Sequence, residues 1–73
     1  MLMPNKKAVQ ALTGRYTRGT RVRLDQMDDP QAPPVGTLGT VVTVDDTGTI
    51  HVDWDNGSSL GVIFGIDHCS IVT

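Results

Sequence analysis

From Thr49 the chain reads Thr-Ile-His-Val-Asp-Trp-Asp-Asn-Gly-Ser-Ser-Leu-Gly-Val-Ile-Phe, and no other stretch constrains the fold as strongly. Ile50, Val52 and Trp54 alternate with His51, Asp53 and Asp55. Such alternation puts one set of side chains on a buried sheet face and the other in water. Asn56-Gly57 then gives the strongest hairpin signal in the chain. A two-residue type I′ turn needs φ > 0 at both central positions, and this pair suits it. Beyond the turn, Ser59–Phe64 predicts a returning strand with Leu60, Val62 and Phe64 on one face.

The remaining elements fit around that hairpin. Thr20–Leu24 reads as a strand, with Val22 and Leu24 on one side and Arg21 and Arg23 on the other. Gly39–Val44 is a second strand, although Val41, Val42 and Val44 do not alternate cleanly. Asp45-Asp46-Thr47-Gly48 and Gly65-Ile66-Asp67 are turns, and Cys69–Val72 is a closing strand. Between the first two strands lies Asp25–Leu38, where Pro30, Pro33 and Pro34 rule out a central strand. A loop that long in a small domain tends to be functional. Ahead of the strands, Asn5 can cap a helix from about Lys6 to Thr13, with Gly14 as its stop. Ala8, Val9, Leu12 and Tyr16 supply the apolar side of that helix. A helix this short is not stable alone, so it docks on the strands or on a partner. The expected fold is mainly β: a small SH3-like five-stranded barrel with a short N-terminal α-helix. Residues 1–15 form the helical extension and residues 16–73 the barrel. Closing a small sheet into a barrel removes its exposed edges.

Composition narrows the setting. The 73 residues make one domain with a small core. Cys69 is the only cysteine, which excludes internal disulfides and a four-cysteine zinc site and predicts a reducing, cytoplasmic environment. Pro4, Asn5, Lys6 and Lys7 interrupt the first stretch, which is expected not to be a signal peptide. No run is apolar enough to span a bilayer. All six basic residues precede Leu24 and all eight acids follow it, and every acid is Asp. Asp favours turns and caps, as short strands require. The simplest reading of the split is a basic first segment packed beside an acidic barrel.

Each candidate for chemistry has a plainer alternative. Cys69 follows His68, but strand neighbours point to opposite faces and do not make a nucleophile–base pair. Ser58 and Ser59 follow a tight turn, with His51 on a strand that can lie nearby. Hydrolysis would also need an orienting group and an oxyanion hole in one pocket. Asp53-Trp54-Asp55-Asn56-Gly57 partly matches a calcium loop, yet its glycine comes fifth and no Glu follows. No catalytic residue, metal or cofactor is therefore expected. Arg15, Arg18, Arg21 and Arg23 form a possible phosphate-binding set, since guanidinium forks suit phosphate oxygens. A binder of polymeric nucleic acid would be basic overall and richer in aromatics than this chain. The rigid, acidic loop carrying Met27, Asp28, Asp29, Pro33 and Pro34 is the best candidate for partner contacts. Trp54, Asn56, Ser58 and Ser59 are expected beside it. Trp54 belongs either to the core with Ile50 and Val52 or, if its edge is exposed, to the contact surface.

The runs Met27-Asp28-Asp29-Pro30, Ala32-Pro33-Pro34, Gly39-Thr40-Val41, Ile50-His51-Val52 and Trp54-Asp55-Asn56-Gly57-Ser58-Ser59-Leu60 carry a family resemblance over nearly the whole chain. The chain resembles an uncharacterised domain-of-unknown-function family of short bacterial and phage proteins, often carried on mobile elements. Asp67-His68-Cys69-Ser70 departs from the more charged or aromatic ending of that family. The resemblance implies a setting and no established activity. The expected function is a non-enzymatic binding module of a phage or mobile element, acting through a protein partner. One alternative is an oligomeric sponge that sequesters a nucleotide immune signal as anti-defence. A nucleic-acid-associated module is the other. A homo-oligomer fits the sponge reading, since a subunit interface can form a cavity that one small barrel lacks.

Overall fold

The structure is a computed structural model that describes residues 5–72. Residues 1–4 and 73, which the expected domain bounds include, lie outside the described residues. The chain forms one helix and five strands: α1 (Lys6–Arg15), β1 (Arg21–Gln26), β2 (Leu38–Val44), β3 (Thr49–Trp54), β4 (Val62–Ile63) and β5 (His68–Ile71). All strand pairs are antiparallel, in the sheet order β4-β3-β2-β1-β5. This is the mainly β fold with a short helix that the sequence pattern predicts.

Asn5 caps α1 as expected, its Oδ1 accepting from the Ala8 N–H at 2.8 Å. Gly14 does not end the helix. A helical glycine costs only about 1 kcal/mol relative to Ala and breaks the helix only where the backbone must turn left-handed. Here that turn comes later, at Gly19 (φ 90°), and Tyr16 caps the helix with its N–H on Leu12 O at 2.7 Å. Leu12 is buried and Ala8, Val9 and Tyr16 are half-buried, which seats the predicted apolar side of the helix.

The uneven valine pattern of β2 has a local cause. Val41 faces Val52 and Thr43 faces His51, so Val42 is an extra residue in a β-bulge. The bulge shifts the period of two, leaving Val41 fully buried and Val42 and Val44 half-buried. A second bulge interrupts β1, where Leu24 pairs with Cys69 and Gln26 with His68, with Asp25 between them.

The core consists of Val22, Leu24, Val41, Ile50, Val52, Trp54 and Val62, with Tyr16, Met27, Val44, Cys69 and Ile71 packed against it. Burying a side chain of this size stabilises by about 1.5–3 kcal/mol. Trp54 therefore belongs to the core, and its indole Nε1–H donates to Leu60 O at 2.8 Å.

Two expectations are corrected. The Asn56-Gly57 turn is not type I′, because Asn56 keeps a negative φ and only Gly57 (φ 93°) is left-handed. The loop has three residues, Asp55, Asn56 and Gly57. It is closed by Gly57 N on Trp54 O and Trp54 N on Ser58 O, both at 2.9 Å. Placing the one left-handed residue third makes this the type I turn with a following glycine bulge. The returning strand is also shorter than expected. Only Val62 and Ile63 pair, and Phe64 opens a turn that carries its ring outward, 54 % exposed.

Candidate functional site

The long loop, residues 27–37, is held by its own hydrogen bonds. Asp29 Oδ1 accepts from the Gln31 N–H at 2.8 Å, and Asp29 O accepts from the Ala32 N–H at 2.9 Å. Pro34 O accepts both the Thr37 N–H (3.0 Å) and the Thr37 hydroxyl (2.6 Å). Gly36 N and Leu24 O then tie the loop back to β1 at 2.7 Å. Pro33 is buried and Met27 packs on the core, so these two anchor the loop from within. Asp28, Asp29, Pro34 and Val35 face solvent, and Val35 is 70 % exposed. A large apolar side chain held out by a fixed loop is the feature that sequence reading overlooked. Only the surrounding Pro33-Pro34 and Gly36 gave a signal for it.

The hairpin beyond Trp54 lies beside the loop's far end, where Asp55 N donates to Leu38 O at 2.8 Å. Asn56 is exposed, and its Oδ1 accepts from the Ser58 N–H at 3.0 Å. Ser58 is half-buried, its Oγ accepting from the Leu60 N–H at 3.4 Å. Ser59 is exposed and shares a shallow depression with Val42, Thr43 and His51. The His51 Nε2–H donates to Asp45 Oδ2 at 2.7 Å, and among the described residues no hydrogen bond joins His51 to a serine. The register puts the loop with Asp28, Asp29 and Pro34 and the hairpin with Asn56 and Ser58 at one end of the sheet, while Trp54 is buried in the core.

The arginines separate into two kinds. Arg21 donates from Nη1 and Nη2 to the two carboxylate oxygens of Asp55, at 2.9 and 2.6 Å. Arg23 Nε donates to Asp25 Oδ1 at 3.1 Å. A phosphate at either position would have to displace a carboxylate. Arg15 lies over the Tyr16 ring, 5.7 Å from its centre, and Arg18 is exposed beside a groove with Thr13, Thr17 and Thr43. Neither Arg15 nor Arg18 makes an ion pair among the described residues. The basic segment does not pack against acidic strands: α1 lies on β2, and β1 pairs with β2 and β5, which carry no acid, so among the described residues Arg21–Asp55 and Arg23–Asp25 are the arginine–aspartate pairs that join it to the acids.

Comparison with known families decides the chain's affiliation, because a family model covers residues 5–72, from the cap of α1 to the residue after β5. The chain belongs to the family described as a domain of unknown function, DUF4314. No curated protein matches it, and no solved structure does. For a DUF4314 domain, then, the geometry of the chain itself is what bears on function.

This DUF4314 domain has a second surface feature that the sequence pattern did not reveal. A mainly apolar cleft of about 430 Å³ lies between the end of α1 and the β4–β5 segment, lined by Leu12, Tyr16, Ile50, Val62, Phe64 and Cys69. Arg15, Asp67 and His68 also line it. Burial pushes the Cys69 thiol up to about 11, and the nearby Asp25 carboxylate acts in the same direction. The thiol therefore stays protonated at neutral pH and serves as an apolar wall. Among the described residues no three His, Cys, Asp or Glu side chains converge on a metal position. No helix there is long and apolar enough to cross a membrane.

Proposed function

We propose that this domain is a non-enzymatic binding module that engages a protein through its long loop and the adjoining hairpin. The observation that carries this reading is the loop's construction. Hydrogen bonds and the buried Pro33 fix a segment whose outward side chains are apolar Val35 and acidic Asp28. Pre-ordering such a loop lowers the entropy cost of binding. A rigid loop that holds an apolar side chain and a carboxylate in water can present both to a partner without first being ordered. The partner surface offers an apolar socket flanked by basic groups, to match Val35 and Asp28. The setting we propose is a phage or mobile element, as the family resemblance implies, with a host or element protein as the partner.

The test has two steps. Tagged protein captures candidate partners from host lysate, and each candidate is then titrated as a purified protein. Val35→Asp and Asp28→Lys are expected to weaken a true interaction at least about tenfold while leaving the unfolding midpoint nearly unchanged. If both variants bind every purified candidate as tightly as the wild type, the loop is not the contact surface.

A further inference from the structure

The hairpin beyond Trp54 sets Asn56 directly before Gly57, the order in which an asparagine reacts with its own main chain. The Gly57 nitrogen bonds to Asn56 Cγ, its proton passes to a solvent base, and ammonia leaves from the side-chain amide. The product is a cyclic imide. Water then opens the ring at either carbonyl. One opening gives aspartate; the other gives an isoaspartyl linkage, in which the main chain runs through the former side chain. The balance is amide plus water to carboxylate plus ammonium, with no oxidant or reductant. Glycine is the successor that hinders the attack least, since it carries no Cβ beside the nitrogen.

Nothing around the site blocks this chemistry. Asn56 and Gly57 are exposed, and no atom lies within 4 Å of where a Gly57 Cβ would stand. What opposes the reaction is hydrogen bonding within the hairpin. The Gly57 N–H donates to Trp54 O at 2.9 Å, so the attacking nitrogen is held as a bonded N–H. The Ser58 N–H donates to Asn56 Oδ1 at 3.0 Å, which fixes the side chain that must turn onto that nitrogen. Trp54 itself is buried and does not yield its carbonyl freely. Attack therefore waits for the hairpin to open, and where opening and closing are fast the rate follows the open population. We infer that Asn56 is a site of spontaneous deamidation gated by opening of this hairpin. Either product places a new carboxylate beside Asp55. The isoaspartyl form also lengthens the main chain inside a loop closed by Gly57 N on Trp54 O and Trp54 N on Ser58 O. The inference needs no partner and stands apart from the loop reading.

The test incubates the full chain in mildly basic buffer, with and without denaturing guanidinium chloride. Peptide mapping by mass spectrometry follows the segment holding Asn56. Asn5, the only other asparagine, falls in a different peptide. Amide hydrogen exchange of Gly57 is measured in the same native buffer. The unfolded chain is expected to convert at Asn56 with an isoaspartyl product, and the native chain at least about tenfold more slowly. The native slowing is expected to be at least as large as that of Gly57 exchange, because both need the bond to Trp54 O broken. Equal rates in native and unfolded protein overturn the gate, as does a native conversion slowed less than Gly57 exchange. An unfolded chain that yields no isoaspartyl product overturns the site itself.

Discussion

Arg21 on β1 reaches across β2 to Asp55 with two parallel hydrogen bonds, and its Nη1 also donates to Thr40 Oγ1 at 2.9 Å. The pair ties the basic first part of the chain to the acidic remainder. It also withdraws one guanidinium from any phosphate-binding role. Hydrogen bonds from Arg21 hold the Asp55 carboxyl below the usual carboxylate range. Arg21→Lys keeps the charge and loses the planar fork. Its expected effects are a rise of the Asp55 carboxyl pKa toward the ordinary value, read by NMR titration, and a small drop in the urea midpoint. Both side chains are about half exposed, so the pair contributes little and fades with salt. A drop as large as that of a core truncation would contradict this.

Asp45 gives the β2–β3 turn its pH dependence. Its Oδ1 accepts from the Thr47 hydroxyl (2.6 Å), the Thr47 N–H (2.9 Å) and the Thr49 N–H (3.1 Å), while Oδ2 takes the His51 bond. The Thr47 hydroxyl, followed by His51, draws the carboxyl well below its ordinary range. The folded pKa lies below the unfolded one, so the unfolded chain binds more protons as pH falls and stability declines with it. The contribution is complete above the ordinary carboxylate range and is lost through the acid region toward the folded value. Urea midpoints from about pH 5 to about pH 2 are expected to fall more steeply for wild type than for Asp45→Asn. Parallel curves would remove Asp45 as the source.

Cys69 is expected to be a slow thiol. With the pKa raised from 9.0 to about 11, its thiolate fraction at mildly basic pH falls by about a hundredfold. Alkylation by iodoacetamide in native buffer is expected to run slower than in denaturant by about that factor. Equal rates in the two conditions would show an accessible, reactive sulfur.

The legible parts of the sequence were those where a local rule and the tertiary environment agree. Ile50, Val52 and Trp54 alternate because one face of β3 is fully buried, and Asn5 caps because its side chain bonds within its own first turn. Asp25 and Val42 hide bulges that only pairing across strands reveals. Phe64 shows the same limit. Its position continues the alternation of Leu60 and Val62, but the bonds converging on Ile63 O turn the chain before the ring can face inward. Loop prolines marked a candidate contact surface, yet Pro33 proved an internal anchor and Val35 the exposed group. A sequence lists which residues a loop contains; which of them face water depends on what the loop packs against.

Gly39 is the position where the core admits no side chain. A Cβ there would sit 2.5 Å from Val52 Cγ1, 2.7 Å from Trp54 Cε3 and 3.0 Å from Asp53 O. Val52 and Trp54 are both buried, and the bond from Trp54 Nε1 to Leu60 O keeps the indole from swinging away. Gly39→Ala is therefore expected to destabilise by about 1–3 kcal/mol in urea unfolding followed by tryptophan emission. Val52→Ala removes the nearest methyl, so the double variant should be more stable than the sum of the single losses, with a coupling of about 0.5 kcal/mol or more. Gly14→Ala is the matched control. Nothing lies within 4 Å of a Cβ at that helical position, and the change should stabilise by about 1 kcal/mol. If Gly39→Ala matched Gly14→Ala in sign, or if the double variant were strictly additive, β2 and β3 would have to pack less closely at Gly39 than these distances require.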